Sequence, residues 1–224
     1  IPEEFPKTPV SIDVLVDLVV GAILKRLSQG RRHGVAVLAE GLASILDVDS
    51  APELRQVEHD PHGNIRFAEV DFGGILKRRV RARLEEFGVS LTVVDKNVGY
   101  ELRCRPPVAF DREYVRELGF GAIDFLLAGG SGAMITRQGD DLVPVPFDAF
   151  IDPATQKTQI RLVDTSSTTY RVAQKYMIRF QPSDLSDAAL LSAMAEPTSL
   201  TAEELAQRLS ATVGTYFTAA NDER

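Results

Sequence analysis

Between Ser11 and Gly41 the apolar residues change period once, and that change leaves few architectures open. Val14, Leu15, Leu18, Val19, Ala22, Ile23 and Leu27 recur at spacings of one, three and four, which puts them on one helical stripe. Ser11 suits the N-cap of that helix and Gly30 its C-cap. The chain then passes into His33-Gly-Val-Ala-Val-Leu-Ala-Glu40-Gly41, an unbroken apolar run closed by Glu-Gly. Such a run predicts a strand buried on both faces, as in a parallel sheet. A helical start over 41–46 follows, and helix, strand, helix in this order is the pattern of an α/β layer.

The rest of the chain continues the alternation. Ile1-Pro-Glu-Glu-Phe-Pro reads as a Pro-bounded loop at the end of a strand, and 49–65 as an exposed turn-rich loop. From Asp71, the residues Phe72, Ile75, Leu76, Val80, Leu84 and Phe87 predict a helix whose other face carries Lys77, Arg78, Arg81 and Arg83. The β-branched content of Val89 to Val94 predicts a strand. Asp111 is placed as the cap of a helix ending at Gly129-Gly130. Ala133–Gln138 and Leu142–Val145 read as a hairpin around Gly139-Asp-Asp141, Gln159–Val163 as a strand and Ser167–Arg179 as a helix. Beyond Gln181 seven acidic residues stand against Arg208 and Arg224. There Thr201 and Glu204 form a capping box, and Leu205, Leu209, Val213 and Phe217 step by four, which predicts two further helices. The expected fold is therefore α/β, a Rossmann-like parallel sheet with helices on both faces and a C-terminal helical tail. Residues 1–180 form the main domain and 181–224 the acidic helical extension.

Composition narrows the function. A formal charge of −7 repels nucleic acid and anionic lipid, so neither is expected as a partner. The longest apolar stretch, Val14 to Leu24, is broken by Asp17 and is too short to span a bilayer. Cys104 is the one cysteine, which fits a reducing, cytoplasmic location. The abrupt start at Ile1 reads as a piece of a longer protein.

Candidate sites divide unequally. The basic run Lys77–Arg83 fits a solvated helix face better than a nucleic-acid patch. His59 and His62 have ligand-like spacing but no third ligand, and no metal site is assigned. The glycines of Ala128-Gly-Gly-Ser-Gly132 follow a helix and precede a strand, the reverse of a phosphate loop, so C-capping accounts for them. No Ser–His–Asp arrangement is present, and Cys104 has no nearby His. In Asp95-Lys-Asn-Val-Gly-Tyr100-Glu-Leu-Arg103-Cys-Arg-Pro-Pro107, a single helical turn would point Tyr100 and Arg103 the same way. A phenol beside a guanidinium fork suits a phosphate monoester, and a surface turn with an ion pair remains the alternative.

Five segments together resemble the C-terminal half of a phosphofructokinase of the pyrophosphate-dependent kind. They are Ile1-Pro-Glu3-Glu-Phe-Pro, Val37-Leu-Ala-Glu40-Gly41, Val98-Gly-Tyr100-Glu-Leu-Arg103-Cys, Phe110-Asp-Arg-Glu-Tyr-Val-Arg-Glu-Leu-Gly119 and Tyr170-Arg-Val-Ala-Gln-Lys-Tyr-Met-Ile-Arg179. The resemblance covers about residues 1–180. It implies phosphoryl transfer from pyrophosphate to the C1 hydroxyl of fructose 6-phosphate in glycolysis or gluconeogenesis, by a homodimer or homotetramer. It assigns Glu3 to the sugar hydroxyls, Tyr100 and Arg103 to the 6-phosphate, and Lys96 to a site reached across a subunit boundary. Glu40 and Gly41 are read as structural. The catalytic base, the donor loop and the Mg²⁺ ligands are expected upstream, so no catalytic residue is assigned here. An ATP-dependent phosphofructokinase and a non-catalytic regulatory subunit of the same fold are the alternatives.

Overall fold

A computed structural model of the chain describes residues 1–6, 9–56, 71–153, 156–158 and 162–222. It divides into two compact units, residues 1–96 with 163–224, and residues 97–162.

The first unit is a helical core. Helix α1 spans Ile12–Ser28, its first turn closed by the Asp13 amide donating to Ser11 Oγ at 3.3 Å. It ends at Gly30, whose φ of +72° is the left-handed conformation that lets the chain leave a helix at low cost. Helix α2, Phe72–Glu86, begins where the Gly74 amide donates to Asp71 Oδ1 at 3.1 Å. Helices α6, Ala188–Ala195, and α7, Ala202–Asp222, pack on α1 and on each other. The Thr201–Glu204 capping box forms as expected: the Thr201 amide donates to Glu204 Oε2 at 2.8 Å and the Glu204 amide to Thr201 Oγ1 at 3.2 Å. Val20, Leu24, Phe87, Met194, Leu205, Leu209 and Val213 are wholly buried in one core. Close packing fixes one glycine. A Cβ at Gly21 of α1 would lie 2.5–2.9 Å from the ring of Phe180.

Each of α1 and α2 is followed by an extended segment that runs back toward the start of its helix. Residues 31–41 return until Gly41 meets Pro2, and Val10 bridges Leu46 in parallel. Residues 89–95 return until Asp95 lies against Gly73 and pairs with Lys77. Both segments were expected as strands of a parallel sheet, and here the structure corrects the sequence. Among the described residues, no backbone hydrogen bond reaches the amides of 32–39 or 90–95. A strand is defined by its neighbour, and neither segment has one among the described residues. Far from being buried on both faces, Val35 and Val37 are 90% and 84% exposed. The expected helical start over 41–46 is a 3-10 helix, Glu40–Ile45. Pro2–Glu4 is likewise a 3-10 turn rather than a strand end.

The second unit holds the only sheet among the described residues, an antiparallel pair of β1, Ala133–Gln138, and β2, Asp141–Pro146. Gly139, at φ +66°, and Asp140 form its two-residue turn. Helix α3, Gly99–Arg103, is a single turn. Helix α4, Ala109–Leu127, starts three residues earlier than a cap at Asp111 would place it, because Asp111 acts from the third helical position and accepts the Val108 amide at 3.0 Å. It lies on the hairpin at Gly121, where a Cβ would come within 2.8 Å of Leu142. The chain is thus mixed helix and strand, with α4 lying on the small sheet of the second unit and the long helix α7 belonging to the first. The expected helix at Ser167–Arg179 is shorter, α5 spanning Thr168–Lys175. Residues 159–161 of the strand expected at Gln159–Val163, and the pair His59 and His62, lie outside the described residues.

Candidate functional site

Tyr100 and Arg103 stand three residues apart on the single turn of α3, as the sequence suggests. The turn is built locally. The Gly99 amide donates to Asn97 Oδ1 at 3.0 Å, opening the bend, and the Leu102 and Cys104 amides close the turn on Val98 and Tyr100 carbonyls at 2.9 Å. Pro106-Pro107 ends it, since neither residue has an amide to continue the ladder. The Arg103 guanidinium folds back over Gly99, 3.5 Å from where a Cβ would sit. Tyr100 is 80% exposed, and Arg103 and Arg105 are exposed with it. A phenolic hydroxyl and guanidinium N–H groups on one side of a short turn can donate together to a tetrahedral oxyanion.

Glu3 belongs to the first unit and Tyr100 and Arg103 to the second. The Val163 amide donates to Glu3 Oε1 at 3.0 Å. That bond draws the carboxyl below its ordinary pKa. Oε2 is buried with no hydrogen-bond partner among the described residues. Lys96 is exposed at the last position of the first unit's early segment, beside Asp95, whose carboxylate takes the Lys77 ammonium. Glu40 is exposed at the end of the returning segment. Among the described residues, no three His, Cys, Asp or Glu side chains stand together as metal ligands.

Two ionic clusters escape the sequence reading. The Glu4 carboxylate pairs with Arg179 and takes the N-terminal ammonium at 3.2 Å, while the Tyr216 hydroxyl donates to the Glu4 carbonyl at 3.1 Å. Burial alone would raise the Glu4 carboxyl, but hydrogen bonds from Tyr170 and Arg179 bring it below its ordinary value. Burial and the Glu4 charge push Tyr170 up to about 12. The Pro2–Glu4 turn is thereby tied to the segment after α5 and to α7. The second cluster is Asp17, 0% exposed, which accepts from Arg83 Nη1 at 2.6 and 2.8 Å. Burial pushes the Asp17 carboxyl up despite Thr212 and Arg83. The basic face of α2 is therefore not simply solvated, since Arg79 also reaches Glu53 at 3.1 Å. The available signal was Asp17 itself, a charge in the middle of a buried stripe that requires a partner.

Comparison with known proteins supplies the context for this turn. No family model matches the chain. It is 42% identical over 216 residues to a pyrophosphate–fructose 6-phosphate 1-phosphotransferase of Naegleria fowleri, covering 91% of this chain and 49% of that protein. A protein of the same description from Thermotoga maritima is 45% identical over 196 residues, 85% of this chain and 46% of its own length. An ATP-dependent 6-phosphofructokinase of Amycolatopsis methanolica is more distant, 28% identical over 143 residues, or 63% of this chain and 30% of that protein. The chain spans about half the length of these two relatives.

Proposed function

Because the chain is a partial-length relative of the pyrophosphate–fructose 6-phosphate 1-phosphotransferases, we propose that it supplies the sugar-phosphate half of an enzyme with that activity. The observation that carries the reading is the exposed turn that presents Tyr100 and Arg103 together. The guanidinium fork donates to two phosphate oxygens of fructose 6-phosphate and the phenol to a third. The 6-phosphate does not react. Anchoring it places the C1 hydroxyl for in-line attack on the donor, so remote binding energy is spent on orientation. Glu3 is the residue proposed for the sugar hydroxyls, on the resemblance alone, and Lys96 for a phosphate held by a neighbouring subunit of a homodimer or homotetramer. The donor, the base and Mg²⁺ act from residues outside this chain. Mg²⁺ would neutralise charge on the transferred group, and no role given to Tyr100 or Arg103 depends on it. Cytoplasmic glycolytic or gluconeogenic flux is the setting such a reaction fits, and among the described residues no helix is long and apolar enough to cross a membrane.

The test is formation of fructose 1,6-bisphosphate by the full-length protein, with pyrophosphate and ATP compared as donors. Turnover with pyrophosphate supports the proposal. Turnover with ATP alone makes the protein an ATP-dependent phosphofructokinase. Binding of fructose 6-phosphate without turnover makes it a regulatory subunit.

A further inference from the structure

The segment that follows α2 alternates in the direction its side chains face. Leu91 and Val93 pack on the core of the first unit, while Thr92 is exposed and Val94 is 78% exposed. The same alternation makes residue 95 the next inward position and residue 96 the next outward one. The inward position is held by a charge, Asp95, whose side chain is 32% exposed, and the outward one by the exposed Lys96. A carboxylate turned toward a helix face needs a counter-charge there, and α2 supplies it. Residues 73 and 77 lie one turn apart on one face of that helix. Gly73 leaves room, since a Cβ there would lie 3.3 Å from Asp95 Cβ. Lys77 then donates from its ammonium to Asp95 Oδ1. That hydrogen bond is the main cause holding the Asp95 carboxyl below its ordinary pKa, so the carboxylate stays charged at neutral pH. Glycine is unfavourable inside a helix, and at position 73 it lets the carboxylate close on α2. An ion pair as exposed as this one adds little to stability, so its effect is on direction rather than on folding.

We propose that Lys77 and Asp95 are positioning residues for Lys96. By tying residue 95 to α2 they turn the next side chain outward, toward the phosphate of the neighbouring subunit that it serves. Neither of the two touches substrate. The inference rests on the reading of Lys96 given above, and on none of Glu3, Tyr100 or Arg103.

Steady-state kinetics of the full-length protein test it, with the melting temperature read alongside. Lys96→Ala should raise KM for fructose 6-phosphate about tenfold, the loss of one charge-assisted contact. Asp95→Asn keeps the shape of the side chain and removes its charge. It should raise the same KM about three- to tenfold, as misplacement of a binding group does, while the melting temperature and KM for the donor hold. Lys77→Met should do the same, and Lys77→Arg, which keeps a cation on a long side chain, should stay near the parent value. In the Lys96→Ala background Asp95→Asn should add nothing, because the group it positions is gone. An unchanged KM in Asp95→Asn overturns the proposal, as does a rise by the same factor with and without Lys96. A lower melting temperature with unchanged KM also overturns it, and makes the pair structural. A silent Lys96→Ala overturns it together with the reading of Lys96, and leaves the Tyr100–Arg103 turn to be judged by Arg103→Ala.

Discussion

Arg103 is the residue on which the proposed chemistry depends most. Losing one charge-assisted partner of a phosphate costs about 1.5–3 kcal/mol, roughly ten- to a hundredfold in affinity. Arg103→Ala in the full-length protein should raise KM for fructose 6-phosphate by that factor and leave KM for the donor unchanged in steady-state kinetics. Arg103→Lys should recover part of the loss, because an ammonium keeps the charge without the fork. A mere surface ion pair would instead shift stability by under about 1 kcal/mol and leave kinetics alone. Glu4 offers a second residue-scale test. Its carboxyl is depressed below 4.5 in the folded chain, so the unfolded chain binds the proton more readily there. Its contribution to stability is therefore complete above that pH and lost as pH falls through the folded value. Glu4→Gln should flatten the stability–pH curve below about pH 4.5 in denaturant titrations, while Asp17, with its raised carboxyl, adds a slope of opposite sign just above its ordinary value. That Tyr100 and Arg103 share one helical turn was legible in the sequence from their spacing. The Glu4–Tyr170–Arg179 cluster was not, since only the tertiary fold brings residue 4 to residues 170 and 179.

At the level of elements, the helices and the hairpin were readable and the lone runs expected as sheet strands were not, for a physical reason. A helix carries its own hydrogen bonds and announces its ends, as Ser11, Asp71, Ser167 and the Thr201–Glu204 box do here. A strand borrows its hydrogen bonds from elsewhere. The hairpin at Gly139 was readable because its partner follows within two residues. The runs at 33–39 and 89–94 have strand composition and, among the described residues, no strand partner. The contact between α1 and Phe180 can be tested at this scale. Gly21→Ala forces a methyl group into the Phe180 ring, which has no free end to move. Overpacking of this kind costs about 1–3 kcal/mol, so thermal unfolding of the variant should begin several degrees earlier with an unchanged denaturant slope.

For the whole molecule, the exposed Val35, Val37 and Val94 of one unit and Phe120 and Leu127 of the other are apolar surface that a chain on its own leaves in water. The 224-residue chain alone should therefore self-associate, with a light-scattering mass above 24.5 kDa that rises with concentration, and should form no fructose 1,6-bisphosphate from pyrophosphate. A monodisperse monomer that turns over would remove both expectations. The packing of α1 against α7 has a further consequence, for the order of events on the ribosome. Within this chain Ile12 opens one long helix and Ala202 opens another, 190 residues later. At about 5–20 residues per second, that separation is roughly ten to forty seconds of translation. Throughout that interval Val20 and Leu24 have been synthesised, while Leu205, Leu209 and Val213, which close the core over them, have not. The nascent chain must hold the apolar stripe of α1 without the wall that α7 later supplies, and a chaperone that recognises apolar segments has that interval in which to bind α1.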